Sequence, residues 1–360
     1  MATPYDKLAV RYLAVHNTSI QAIGAKLWIR GYSHPIGSER VDETARGVTH
    51  MAQSKLSEWL PWPRLQPGDR VRLVSPASFP DDIEGIDYLV RLLNGWGMVV
   101  DVGEHAMDRR GYMAGADEDR LADLNAAYND PGVRAIVTTR GGAGAYRILD
   151  GLDYTAIRAD PKPLVGFSDI TNLHLAIWQR CHVPGIHGCL VGDQAISTAR
   201  HLLTSTEPAV LQRNPRLMSS AAEIEGRARG FLMGGSLAAL AGLVGAGLPD
   251  LTGAILLIEA ERTIGLGQVD RQLTQLLRSG ALAGIRGVAL GRFPGFEDYT
   301  DRGWNLIDVL RDRLTLLGVP VLGGLELGHG DNPCSVALGV SAEIDTGTGT
   351  LKLDPPARPV

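Results

Sequence analysis

Cysteine is scarce in this chain. Only Cys181, Cys189 and Cys334 carry a thiol among 360 residues, and no two form a C-x-x-C pair. That excludes a disulfide scaffold and argues against a structural zinc site. No HExxH or other metal-ligand spacing occurs, so no metal is expected. No long basic run occurs either, and the net charge is −5, from 35 Lys+Arg against 40 Asp+Glu. General nucleic-acid binding, which needs clustered cations to neutralise phosphates, is disfavoured. The G-x-x-x-x-G-K-[ST] phosphate loop is missing, and Gly142-Ala143-Gly144 lacks the third glycine of G-x-G-x-x-G, where Arg147 stands. Nucleotide binding is therefore weakly supported, and no cofactor is expected. The first 30 residues show no charged region followed by an apolar one, so no secretory leader is visible and a reducing cytoplasm fits.

One uncharged stretch is long enough to weigh as a membrane span, residues 230–249 (GFLMGGSLAALAGLVGAGLP). Six of its twenty residues are glycine, which favours a buried helix entered through Gly234-Gly235 over a lipid anchor. No membrane partner is expected.

Glycine, by contrast, is abundant. There are 44, well above the usual share of about 7%. They fall at the ends of apolar runs, where an α/β protein needs turns and close backbone approach. With 44% hydrophobic residues the chain can bury a large core, and its length suggests two domains.

Residues 1–65 show no strand-turn-helix rhythm and read as an N-terminal extension without assigned chemistry. From residue 66 the chain alternates. Strands are expected at 71–75, 98–102, 133–138 and 163–167, and helices at 83–96, 117–129, around Tyr146–Leu149, and at 171–180. Such alternation means a parallel sheet, here an α/β domain over 66–194. Residues 195–228 read as a connector. A second domain over 229–355 holds the glycine-rich helix, strands at 254–258 and 287–290, helices at 269–279 and 304–316, and a β-like end. That end comprises 335–340, 342–345 and 350–353, with a hairpin turn at Asp345-Thr346-Gly347-Thr348-Gly349.

The most informative motif is Gly166-Phe167-Ser168-Asp169, where an apolar strand runs straight into a helix with a serine at the apex. It reads either as a nucleophile elbow or as a Ser-Asp helix N-cap. A nucleophilic serine needs a base and an acid that orients it. His329, between Gly328 and Gly330, and His187, between Ile186 and Gly188, are the candidate bases. Glu259 and Glu261 end an apolar strand on one face and are the candidate acids. The Arg140-Gly141-Gly142 turn lies at a strand's carboxyl end, where it could offer N–H groups to an oxyanion and Arg140 could hold a carboxylate.

These pieces, taken in order, resemble the LD-carboxypeptidase family of serine peptidases, which includes the microcin C immunity-type peptidases. The resemblance spans about residues 66–355. It rests on Val74-Ser75-Pro76-Ala77-Ser78, Gly111-Tyr112-Met113-Ala114-Gly115, Thr139-Arg140-Gly141-Gly142, Gly166-Phe167-Ser168-Asp169, Gly234-Gly235-Ser236, Ile258-Glu259, Val269-Asp270-Arg271 and Gly328-His329-Gly330. It implies a flavodoxin-like, parallel-sheet N-terminal domain and a smaller β-rich C-terminal domain. It also implies a Ser168–Glu259–His329 triad and oxyanion donors at Gly142 and Asp169, with Arg140 as the substrate-binding cation. The implied reaction removes the terminal D-Ala from peptidoglycan tetrapeptides, cutting after the L-centre of the diamino acid. A cytoplasmic homodimer acting on a small muropeptide follows from the same likeness. Two alternatives remain open at this level. One is hydrolysis of aminoacyl-nucleotide amides, and the other is a non-catalytic binding homologue. The chain departs from the family at Ala143 and Ala260, where an aromatic residue and Asp are usual.

Overall fold

A computed structural model of the chain describes residues 59–360. Residues 1–58, the bulk of the expected extension, lie outside the described residues.

The elements run β1 (Trp62–Pro63), β2 (Arg70–Val74), α1 (Ile83–Gly95), β3 (Val99–Val102), α2 (Asp117–Asn129), β4 (Val133–Thr138), α3 (Tyr154–Ala159), β5 (Leu164–Gly166), α4 (Thr171–Cys181) and β6 (Gly185–His187). Then come α5 (Asp193–Thr204), β7 (Ala209–Gln212), β8 (Arg227–Ser236), α6 (Leu237–Gly242), β9 (Ala254–Glu259), α7 (Leu266–Arg278), β10 (Gly287–Leu290) and α8 (Leu306–Leu314). The chain ends with β11 (Val321–Leu322), β12 (Val336–Leu338), β13 (Ser341–Asp345), β14 (Thr350–Leu353) and β15 (Ala357–Arg358).

The first sheet has the order β12-β6-β5-β4-β2-β3. All of its pairings are parallel except β12 against β6. Leaving β12 aside, the winding is the 2-1-3-4-5 order of a doubly wound sheet, whose ligands sit at the strands' carboxyl ends. Period-2 alternation supplies both faces. Val71, Leu73, Ala135 and Val137 join the larger core with α1, while Val74, Val133 and Ile136 pack with Leu124, Ala127 and Tyr128 of α2. Buried Lys162 donates to the carbonyls of Ala127, Tyr128 and Asp130, placing a cation on the exposed carbonyl end of α2.

The second sheet has the order β11-β10-β9-β8-β13-β14-β7. Its β8–β11 side is parallel, and β13, β14 and β7 add antiparallel. Central β9 reads AILLIE and is buried throughout. Burying each of its large aliphatic side chains stabilises by about 1.5–3 kcal/mol.

Three local readings change. The 230–249 stretch is half strand, not one helix: β8 runs to Ser236 and only Leu237–Gly242 is helical. Its glycines serve close strand approach, since a Cβ on Gly230 would lie 2.2 Å from the Gly253 carbonyl and one on Gly234 2.1 Å from that of Leu257. No helix among the described residues is long and apolar enough to cross a membrane. The expected connector holds α5 and the edge strand β7. The helix expected near Tyr146 is two single 3₁₀ turns, Ala145–Arg147 and Leu149–Gly151. In addition, the 335–340 strand is trimmed to β12 and joins the first sheet, so the C-terminal chain crosses between sheets before β13.

The end of the 1–65 segment is part of the folded body. Trp62 is fully buried in the larger core, and β1 pairs in parallel with β15. Trp62→Ala is expected to cost about 3–5 kcal/mol, the usual penalty for emptying an aromatic core site. A shift in the urea midpoint corresponding to less than about 1 kcal/mol would show that this strand is dispensable.

Candidate active site

The carboxyl ends of β2, β4 and β5 deliver three loops to one place. β5 ends at Gly166, which is hemmed in: a Cβ there would lie 2.4 Å from Thr138 Oγ1 and 2.9 Å from Ile170. Two residues on, Ser168 takes φ 61°, a left-handed conformation that costs a non-glycine residue about 1–3 kcal/mol. An N-cap residue is normally extended at this angle. The Ser168 side chain serves no helix end; its Oγ lies 3.0 Å from Nε2 of His329.

His329 sits on the loop between β11 and β12. Its Nδ1 is 2.6 Å from Oε2 of Glu259, and its own backbone N–H donates to the same oxygen at 3.1 Å. Glu259 ends β9, paired in register with Ser236, and is fully buried. Gly328 has φ 90°, and a Cβ there would fall 2.4 Å from Cγ and Oε2 of Glu259, so only glycine lets the histidine loop reach the carboxylate. Glu261 is exposed and lies 4.0 Å from His329 Nε2 without contacting Nδ1. His187 is buried at the end of β6 and does not bond to Ser168.

The electrostatics follow from this packing. Burial pushes the Glu259 carboxyl up, but the hydrogen bond and charge of His329 outweigh it and hold the group below its ordinary value. Burial pushes His329 down, and Glu259 outweighs that too, leaving the imidazole above its ordinary value.

The Gly141–Gly142 loop covers the serine. A Cβ on Gly141 would lie 2.9 Å from Ser168 Cβ and 3.0 Å from the Phe167 carbonyl. Gly142 has φ 100°. Among the described residues, the N–H groups of Gly142 and Asp169 donate to no acceptor. The Asp169 carboxylate ties the elbow to this loop, accepting from the Ala145 N–H at 2.7 Å and from Asn172 Nδ2 at 2.9 Å. Two cavities, of about 480 and 200 Å³, flank the triad and share Ser236 and Ala238. Gly142, Tyr146 and Asp169 line the larger, and His329, Glu261 and Phe296 the smaller.

Arg140 stands apart. It is exposed, ion-paired with Asp81, and lines a separate cavity of about 470 Å³ that also includes Gly141 and Phe167. Sequence reasoning missed several braces. Ser78 Oγ accepts from the Ala143 N–H at 3.2 Å. Arg292 pairs with Glu326 and donates to the Asp331 carbonyl, steadying the histidine loop from below. Ser78 falls in a motif quoted for the resemblance. Arg292 gave no sequence signal. One donor set of metal-ligating type exists among the described residues, His105, Asp108 and Asp119, and it lines neither triad cavity.

A serine on a strained strand-to-helix turn, hydrogen-bonded to a histidine that a buried carboxylate orients, defines the serine-hydrolase class of site. Comparison with known proteins narrows this. The LD-carboxypeptidase N-terminal domain matches residues 71–188, and the LD-carboxypeptidase C-terminal domain matches 229–344. The chain belongs to the LD-carboxypeptidase family and is a serine peptidase. It is 41% identical over 305 residues to a Streptomyces coelicolor protein named as a carboxypeptidase, covering 82% of this chain and 96% of that one. It is 31% identical over 288 residues to the murein tetrapeptide carboxypeptidase of Pseudomonas aeruginosa, covering 74% and 90%. An MccF-like protein from Bacillus anthracis has the same fold, with a TM-score of 0.74 at 23% identity, covering 82% of this chain and 99% of that one.

The Glu259–His329 pair sets a pH window for stability. Glu259 is lowered on folding, so its contribution is present above the ordinary value of 4.5 and is lost as pH falls through the folded value. His329 is raised, so its contribution is complete below 6.5 and is lost as pH rises through the folded value. The difference in melting temperature between wild type and Glu259→Gln is therefore expected to be largest between pH 4.5 and 6.5. A difference that is flat from pH 4 to 9 would contradict the coupling.

Proposed function

We propose that this chain is a murein tetrapeptide LD-carboxypeptidase, releasing terminal D-Ala by acyl transfer through Ser168, His329 and Glu259. The observation that carries the reading is the continuous chain of contacts, Ser168 Oγ to His329 Nε2 at 3.0 Å and His329 Nδ1 to Glu259 Oε2 at 2.6 Å. His329 accepts the Ser168 proton as Oγ attacks the amide carbonyl carbon. Glu259 fixes the imidazole tautomer and stabilises the imidazolium. The tetrahedral oxyanion takes hydrogen bonds from the N–H groups of Gly142 and Asp169, which have no other partner to give up. Collapse breaks the C–N bond, and His329 returns the proton to the leaving amine of D-Ala. Water, deprotonated by His329, then hydrolyses the acyl ester and regenerates Ser168.

The relatives support this substrate class. Those matching at 31% identity or more over most of the chain are named as carboxypeptidases, murein peptides among their substrates, while the microcin self-immunity structures match at 22–23%. No Phe, Tyr or Trp occurs from 195 to 228, which disfavours the aminoacyl-nucleotide reading. The cytoplasmic, homodimeric setting is carried over from the family likeness.

Purified protein is expected to release D-Ala from free murein tetrapeptide, and Ser168→Ala to cut kcat by about 10⁶-fold. No release by folded wild type, or release that survives in Ser168→Ala, would overturn the reading.

A further inference from the structure

Behind the triad lies a group of buried polar atoms that the reaction above leaves idle. His187 is fully buried, and neither Nδ1 nor Nε2 has a hydrogen-bond partner among the described residues. Glu259 is in the same condition at Oε1, while its Oε2 serves His329. Orphaned polar atoms are rare in folded interiors, because each forfeits its bonds to water without replacement.

These atoms belong to one neighbourhood. His187 pairs in register with Gly166, two residues before Ser168. Its ring meets that of Phe167 with centroids 6.1 Å apart, and Phe167 meets the His329 ring at 5.1 Å. A Cβ on Gly235 of β8 would lie 3.0 Å from the His187 imidazole, and the next residue, Ser236, pairs with Glu259. The titratable groups around His187 are Glu259 from β9, His329 from its loop, and His174 from α4. His174 is already engaged with the Gly166 carbonyl at 2.9 Å. The facing positions on β5, β8 and β12 are Gly166, Gly235 and Val336, none of which titrates.

We propose that His187 is a positioning residue that donates, through one buried water, to Oε1 of Glu259, so that the carboxylate is held at both oxygens. A buried water needs at least two polar partners, and one His187 ring nitrogen and Glu259 Oε1 supply them; the two ring nitrogens point apart, so one water reaches only one of them. Burial drives His187 down to about 4, so near neutrality the ring carries one donor and one acceptor. The hydrogen bond matters most in the state with the larger net negative charge, neutral His329 beside ionised Glu259. Removing the donor therefore favours protonation of the pair, and His329 titrates at higher pH.

The inference rests on Glu259 and His329 acting as a pair, but its test needs no substrate. Histidine NMR on the full chain follows the His329 titration in wild type, His187→Phe and His187→Gln. Phenylalanine fills the space without a donor, and glutamine keeps one. The expected result is an upward shift of about half a unit or more in His187→Phe and a near wild-type value in His187→Gln. A wild-type titration in His187→Phe, or equal shifts in both variants, would overturn the proposal. Should His187→Phe fail to fold, a high-resolution crystal structure of wild type decides. An ordered water within hydrogen-bond reach of both His187 and Glu259 Oε1 supports the bridge, and a water touching only one of them, or none, overturns it. An NMR shift seen without D-Ala release would leave this inference standing while overturning the substrate proposed above.

Discussion

A carboxylate buried without exposure to water is expensive unless it is paired, and Glu259 is the point around which the candidate site is arranged. Its partner must arrive from another part of the chain. It comes on a loop whose backbone passes within bonding distance of Oε2, and a side chain at Gly328 would collide with the carboxylate. The same loop then has to place Nε2 over a serine that belongs to the other sheet. β12 accomplishes this: directly after the histidine loop, the chain adds to the edge of the first sheet beside β6. The crossing of one short strand thus fixes the distance between two residues 161 positions apart.

The serine side is built by a different device. A three-residue strand ends in a glycine that no larger residue could replace, and the next turn is forced into a left-handed conformation. That strain is offset elsewhere. Asp169, buried enough for its carboxyl to be pushed upward, spends its oxygens on the Gly-rich loop and on Asn172. The elbow and the Gly-rich loop, each carrying one free N–H group, are therefore tied together through the Asp169 carboxylate.

Much of this was legible in the sequence. Alternating apolar runs and helical spacings located β2 to β5 and helices α1, α2 and α4, because there a single periodicity decides each element, whereas the three-residue β6 and the short α3 are too brief to show one. Ser168 stood out because strand, small-residue turn and helix are contiguous. His329 and Glu259 could not be separated from His187 and Glu261 by local pattern. What separates them is tertiary: Glu259 points into the interior while Glu261 is exposed, and His187 lies beneath the site rather than over the serine. The 230–249 stretch misled for a physical reason. Glycines in an apolar run mark close backbone approach, and periodicity alone does not say whether the approaching partner is a helix or a strand such as β9. Arg292 and Glu326, which steady the histidine loop, form an ordinary pair until the fold brings them together.

The central claim is that the strained serine is a nucleophile activated by its histidine and carboxylate neighbours. Reaction with a fluorophosphonate, followed by peptide mass spectrometry, tests it without any assumption about substrate. The expected result is a single stoichiometric adduct on Ser168, greatly slowed in His329→Ala and in Glu259→Gln. A folded protein that takes up no label, or takes it up elsewhere, or labels Ser168 equally fast without His329, would contradict it.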